Sequence, residues 1–443
     1  MRLKRLMRLR LSAVALAASL LAPLAVHAQS LQSLYEAARG YDAAYLSAKA
    51  LADSAQYRAE QVEALNRPSA ALVGTATASE INPPIIGSGT SNSVGGTVNG
   101  RYPLFNRGND ASIAQARKSL LTAQADLDTA AQDLIVRLAQ AYFDVLAAKD
   151  TLNTTRASKA GITEQLASAK RNFEVGTATI TDTREAQARY DLAAAQEIQA
   201  ENDLHTKQIA LDTFVGRSNV TPEPLKVPVL LPAPVPANAE EWVTIGDTRH
   251  PAVRKAAVGL EVATLETEKA RAGRLPTVDA IASVGASRAN GSSLAVTPGS
   301  TTNASIGVQL NWTLYSGGSV QNRIKETLSL EEKAREDLQA ARRGVAQGVR
   351  TAYFGLLSGL SQVKALEAAE SSSKLALEST ELGYKVGVRV NLDVLNSQTQ
   401  LYTTQRDLAR ARYDVLLATL RLHQAAGDLS DNDVQALNRL LAP

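Results

Sequence analysis

"FEVGTATITDTREAQ" at 173–187 and "YKVGVRVNLDVLNSQ" at 384–398 are two versions of one segment. Gly176 falls on Gly387, Asp182 on Asp393 and Gln187 on Gln398. Each copy interrupts a long, charged, Ala-rich stretch. A glycine there can take the left-handed conformation that ends a helix. Asn391 reads as the cap of the next helix, and Asp393 in its first turn suits the positive end of the helix dipole. Working outward, the same shift puts Ala141-Tyr142-Phe143 on Ala352-Tyr353-Phe354, and "YPLFNRG" (102–108) matches "WTLYSGG" (312–318). The chain is therefore an internal duplication. Its halves, 29–220 and 241–430, flank a proline-rich linker at 221–240 whose prolines exclude regular helix. Residues 431–443 read as a C-terminal tail.

Residues 1–28 carry the pattern of a secretory signal. A basic start (Arg2, Lys4, Arg5, Arg8, Arg10) precedes an apolar run from Leu11 to Leu24 and the small residues of Val26-His27-Ala28. The chain has 47 basic and 44 acidic residues; removing those five basic residues leaves 42 against 44. The mature protein is thus slightly acidic, and no basic cluster with interleaved aromatics supports nucleic-acid binding. The sequence has no cysteine, so neither disulfides nor a lipid on an N-terminal cysteine is expected. After the signal no apolar run reaches the length of a spanning helix. Insertion in a membrane would then have to be by strands.

Two kinds of segment recur in each half. Ile113, Leu120, Leu127, Leu134 and Ala141 are seven apart, with Ala116, Ala123 and Ala130 offset by three. This is a heptad seam with a small-residue position, echoed at Ile324, Leu338, Val345 and Ala352. The second kind alternates. In "ASIGVQLNWTLY" (304–315), Ala304, Ile306, Val308, Leu310, Trp312 and Leu314 share one face and small polar residues the other. "VGGTVNGRYPL" (94–104), "VDAIASVGASR" (278–288) and "ALVGTATAS" (71–79) alternate as well. Segments of about ten alternating residues with aromatics near one end have the signature of outer-membrane strands. Turn-rich stretches at 81–93 and 289–303 join them into hairpins at about 69–106 and 277–316.

Four strands cannot close a membrane barrel, for which about eight is the small limit. An open edge in lipid is not tolerated, so the chain is expected to oligomerise, and a trimer would supply twelve strands. The stretches 109–175 and 320–386 would each span about 100 Å as helices at ~1.5 Å per residue. Four others, at 30–66, 182–216, 239–272 and 392–427, are about half as long, so two laid end to end match one long helix. The expected fold is a mixed α and β membrane protein. A twelve-stranded trimeric barrel continues into a long periplasmic α-helical barrel, with the turns at Gly176 and Gly387 at its far end.

The order and spacing of these features, with "YPLFNRG", "WTLYSGG" and the two "VG" turns followed by "TITD" and "NLDVL", resemble the TolC family from about Ser30 to Asp431. That resemblance implies the exit duct of a tripartite efflux pump or type I secretion system in a Gram-negative outer membrane. It implies a homotrimer, contact with outer-membrane lipid, and two partners. These are a periplasmic adaptor and an inner-membrane transporter of the RND or ABC type, docking at the tip turns Gly176-Thr177 and Gly387-Val388. By the same resemblance Asp182 would link to Tyr384 and Arg389 to hold the tip closed. Asp393 would belong to a pore-facing acidic ring whose second acid is here Asn396. No cofactor, metal or nucleic acid is implied.

Two other classes compare poorly. His27, His205, His250 and His423 have no metal spacing, and no nucleophile elbow, phosphate loop or complete dinucleotide fingerprint is present, so no enzyme is expected. A trimeric surface adhesin or other structural coiled coil would carry one barrel segment at its C-terminus, whereas here a hairpin sits inside each half.

Overall fold

A computed structural model describes residues 29–81, 89–291 and 298–442. Residues 1–28, read above as a signal, and 82–88 and 292–297 of the expected turn-rich stretches lie outside the described residues. The elements run α1 (Leu31–Arg39), α2 (Ala43–Glu63), β1 (Ser69–Ile81), β2 (Gly89–Phe105), α3 (Arg107–Glu174) and α4 (Ile180–Val215). They continue with α5 (Ala239–Arg249), α6 (Pro251–Ala272), β3 (Thr277–Gly291), β4 (Gly299–Asn311), α7 (Ser319–Lys385), α8 (Asn391–Ala425) and α9 (Asp431–Asn438).

The long helices α3 and α7 have 68 and 67 residues, close to the length expected. Beside the sheet they alternate with short ones, α2 on α3, α3 on α6 and α6 on α7; toward the other end the neighbours are α4 on α3, α3 on α8 and α8 on α7. Each long helix is thus flanked by two short helices in succession.

Two of the expected short helices are broken. In the first, Asp42 caps α2, accepting from the Tyr45 amide at 2.8 Å, and takes two hydrogen bonds from Arg137 at 3.0 and 3.1 Å. Between Ala239 and Ala272 the break falls at His250-Pro251, where proline occupies the first helical position and His250 Nδ1 accepts from the Ala252 amide at 3.1 Å. Burial lowers the His250 pKa, which favours the neutral ring that this acceptor role needs.

The four strands form one antiparallel sheet in chain order. β2 pairs with β3, Val98 opposite Val284, so the sheet joins the two repeats. The strands run 13 to 17 residues, longer than the ten expected, because the polar flanks continue the ladder: Ser91 and Asn92 pair with Ser79 and Ala78. β4, by contrast, ends at Asn311 rather than near 315. Trp312 turns aside and its indole Nε1 donates to the Arg274 carbonyl at 3.1 Å. Neither β1 nor β4 has a second strand partner among the described residues, and Ile306, Val308 and Leu310 are 89%, 68% and 63% exposed.

The heptad seam is only partly buried. In the first repeat Leu134 is sealed while Ile113, Leu120 and Leu127 are half-buried; in the second Ile324, Leu338 and Val345 are buried and Ala352 is half-buried. The larger apolar clusters among the described residues lie at mid-height. There Leu31, Leu34, Leu138, Tyr142, Phe143, Leu416 and Leu420 pack together, and Trp242, Val349, Tyr353 and Leu356 form a second cluster. The segment at 431–443 is not a free tail: Val434 and Leu437 of α9 enter the first cluster, and Leu441 bridges to Leu225 of the linker.

The duplicated Ala-Tyr-Phe element explains why the core sits there. Tyr142 is fully buried, and its hydroxyl accepts from the Glu223 amide at 2.7 Å and donates to the Glu223 carbonyl at 3.1 Å. Tyr353, its equivalent, donates to the Ala237 carbonyl at 2.7 Å. One tyrosine from each repeat therefore ties down each end of the proline-rich linker. Tyr142→Phe leaves a linker amide without its acceptor, a loss of about 1–3 kcal/mol, against about 1 kcal/mol for Tyr353→Phe, which removes only a donor. Thermal denaturation should show the larger fall in midpoint for Tyr142→Phe; equal or reversed falls would contradict this account.

Candidate functional site

The far end of the helices consists of two hairpin turns. Gly176 has φ +79° and Gly387 φ +77°, the left-handed region expected of both. In the first turn the amides of Thr177 and Ala178 donate to the Asn172 carbonyl at 2.8 and 3.1 Å. In the second, Val388 and Arg389 donate to the Gly383 carbonyl at 2.9 and 3.1 Å. These bonds satisfy carbonyls left over at the helix ends. Thr177, Gly387 and Val388 are exposed at the apex, with Val388 78% accessible.

The helices restart differently. Thr179 and Asp182 form a capping box: the Asp182 amide donates to Thr179 Oγ1 at 3.2 Å, and Asp182 Oδ2 accepts from the Thr179 amide at 2.9 Å. The equivalent of Thr179 is Val390, which caps α8 without a side-chain bond. Asn391, expected at the cap, lies one position inside the helix. It is buried, and its Oδ1 has no hydrogen-bond partner. Pairing of the repeats dictates this, because Thr179 aligns with Val390.

The remaining tip residues make three contacts. Tyr384 Oη accepts from Asn172 Nδ2 at 3.1 Å, joining α7 to the end of α3. Arg389 lies 3.5 Å from Asp393, one turn along α8. Gly383 provides room for this, since a Cβ there would meet Arg389 Cγ at 2.8 Å. Asn396 Oδ1 accepts from Arg189 of α4 at 3.1 Å. Within the chain Asp182 is therefore engaged with its own cap, not with Tyr384 or Arg389, and its Oδ1 has no partner among the described residues.

Asn172 and Arg189 escaped the sequence reading. A signal was available: their equivalents are Gly383 and Gln400, so these are positions where the repeats differ in chemistry. The apolar support is slender. Leu395 of α8 packs with Ala169, Ala186 and Ala193, small residues that bring α3, α4 and α8 close.

Behind the tip lies an open hollow of about 690 Å³ lined by Thr151, Thr155, Ser158, Gln196, Asn202 and Thr403 among others. Hydroxyl and amide groups make up most of its lining, with Asp203 and Arg406 adding charge. Tyr402, also on its wall, has a raised pKa through burial and the nearby carboxylates Glu381 and Glu164. Nearer mid-height Tyr413 donates to Asp150 at 2.7 Å; burial raises the Asp150 pKa and outweighs that bond. Among the described residues no group of three acids or histidines is arranged to hold a metal ion.

The missing cap makes a direct test of the turn. Val390→Thr supplies the acceptor that Thr179 provides in the first repeat, a gain of about 1 kcal/mol in local stability. Hydrogen exchange of the Asn391–Val394 amides should slow accordingly. Unchanged exchange would show that the cap is not what limits the start of α8.

Comparison with known proteins follows the same architecture. The family model described as "Outer membrane efflux protein" matches residues 27–217 and 247–428. The outer membrane protein TolC of Vibrio cholerae is 31% identical over 418 residues, covering 94% of each chain. The alkaline protease secretion protein AprF of Pseudomonas aeruginosa is 31% identical over 347 residues, 76% of this chain and 70% of that one. Among solved structures, the outer membrane protein VceC of Vibrio cholerae superposes with TM-score 0.76 at 19% identity, covering 90% of this chain and 96% of the other.

Proposed function

The chain belongs to the outer membrane efflux protein family, and from that premise we propose that it is the outer-membrane exit duct of a tripartite efflux pump or a type I secretion system. It resides in the outer membrane of a Gram-negative bacterium with a large periplasmic part, and the family is one of channels, not enzymes. The carrying observation is the four-stranded sheet whose two outer strands lack further partners among the described residues and whose apolar face is bare, continued by helices of 68 and 67 residues.

Three chains would satisfy the edges. β4 of one protomer would pair with β1 of the next, giving a closed barrel of twelve strands, since lipid offers no substitute for a missing strand. The helix rows would close in register below it, α2 and α4 of one chain against α7 of its neighbour. Repeat boundaries at 29–220 and 241–430 then correspond to two quasi-equivalent staves per protomer.

Substrate enters from an inner-membrane transporter of the RND or ABC type through an adaptor. The adaptor docks on the tip turns at Gly176-Thr177 and Gly387-Val388, the exposed breaks at the end of the helices. AprF is named for alkaline protease secretion, and a polypeptide cargo suits the hydroxyl-lined hollow. Closure rests on polar links. Asp182, with a free carboxylate oxygen, would accept from Arg389 of the adjacent protomer, while Tyr384 is held by Asn172. Asp393 and Asn396 line the constriction. An exposed pair of this kind contributes typically under ~1 kcal/mol, which suits a gate that a docking partner must open.

Purification in mild detergent and reconstitution in planar bilayers tests both levels. A stable trimer is expected, and the Arg389→Ser, Tyr384→Phe double variant should conduct several-fold more than the parent, since losing two links of under ~1 kcal/mol each shifts the open population by that order. A monomer with intact strands would sink the barrel; a trimeric double variant conducting like the parent would remove the latch.

A further inference from the structure

In each chain the acid assigned to the constriction has its own guanidinium beside it, and a second guanidinium binds the amide one turn further along. Arg389 lies 3.5 Å from Asp393, and Arg189 donates to Asn396 at 3.1 Å, one turn further along α8. Asp393 and Asn396 are three apart and so lie on nearly the same helix face. Arg189 is well seated for its reach. It lies between Ala186 and Ala193, which are both buried in the apolar cluster that also holds Leu395 of α8. Over 170–190 and 381–396 the tip segments carry six basic residues (Lys170, Arg171, Arg184, Arg189, Lys385, Arg389) and five acidic ones (Glu174, Asp182, Glu185, Glu381, Asp393).

The bond also has a mechanical meaning. α3–α4 and α7–α8 are separate hairpins, and near the tip they are joined by two side-chain hydrogen bonds among the described residues, Asn172 to Tyr384 and Arg189 to Asn396. Moving one hairpin away from the other breaks both.

We propose that Arg189 is a positioning and selectivity-determining residue of the tip: it clamps α8 to α4 through Asn396, and its charge keeps the mouth from concentrating cations. The inference rests on the duct reading above. Where the ring position holds a second acid, the constriction would be anionic. Here that position holds a neutral amide bound to a cation, and the one acid is compensated by its own arginine. Both contacts are exposed, so salt screens the effect and it weakens as ionic strength rises.

The test is a planar-bilayer recording of the full-length protein under a potassium chloride gradient, with reversal potential and conductance read together. The wild type should show little preference for K⁺ over Cl⁻. Arg189→Ala should raise the K⁺/Cl⁻ permeability ratio about twofold at low salt, since one charge acting across about a Debye length of water is worth of order RT. It should also raise conductance, because the clamp is gone. Arg189→Lys should restore the ratio but only part of the closure, as an ammonium keeps the charge without the planar fork. Asn396→Ala should raise conductance alone, and Arg189→Ala combined with Asn396→Ala should conduct no more than Arg189→Ala. A conducting wild type with strong cation preference, or an Arg189→Ala variant that matches the wild type in both readings, overturns the inference while leaving the duct intact. A wild type that forms no pore overturns the duct reading and the inference with it.

Discussion

A β-strand edge in hydrocarbon has nothing to bond with, and the organisation of this chain follows from that constraint. Two hairpins, one from each repeat, meet at β2 and β3 and leave β1 and β4 as the two edges of a four-stranded sheet. The apolar residues of β4 gain no cover within the chain. In the proposed assembly, closure by further copies would resolve both deficits together. It would also set the arrangement of everything attached, because helices leaving a closed sheet in sequence must stand side by side as a row. A row of helices has neighbours left and right but none above or below, which is why so much of the heptad seam is half-buried.

Such a row needs a place where the chain is held against its own length, and duplication supplies it. Tyr142 and Tyr353 occupy equivalent positions near the middle of the two long helices, and each binds one end of the linker. The linker cannot form a helix, so its backbone groups need outside partners. The tyrosines provide some, and the α9 segment provides others: the Lys226 amide donates to the Leu440 carbonyl at 2.9 Å and the Ala442 amide to the Pro224 carbonyl at 2.7 Å. Around these bonds aromatic contacts accumulate, with Phe143 stacked on Tyr413 at 5.7 Å and Trp242 edge-on to His423 at 5.0 Å. This girdle holds the two largest apolar clusters and lies between the sheet and a tip with a smaller one.

The tip shows how a duplicated element acquires a task. Both copies keep the left-handed glycine, because each must reverse a long helix. They diverge where they face each other. The first keeps the Thr179–Asp182 box while the second has Val390 and a buried, unpartnered Asn391. The first has Asn172 and Arg189; the second presents Tyr384 and Asn396 to them. A weakly capped helix tied by a few exposed polar bonds is a low-stability element, and elements that move are drawn from that class.

The fold was largely legible in the sequence. Period-two alternation identifies strands and glycine identifies the turns, because both depend on neighbours along the chain. The duplication revealed the plan, and the equal lengths of 109–175 and 320–386 anticipated α3 and α7. Local breaks were harder to place: Asp42 and His250 divide two helices because each finds a capping role, which competes with a strong helical pattern on either side. The fate of 431–443 was hidden for a different reason, since its burial depends on α1 and the linker folding beside it. At the candidate site, the family resemblance named Asp182, Tyr384, Arg389, Asp393 and Asn396 but not the partners they have within the chain. Whether Arg189 reaches Asn396 depends on how α8 lies against α4. There Leu395 of α8 clusters with Ile162, Leu166 and Ala169 of α3 and with Ala186 and Ala193 of α4, a packing between residues far apart in the chain that only the folded helices bring together.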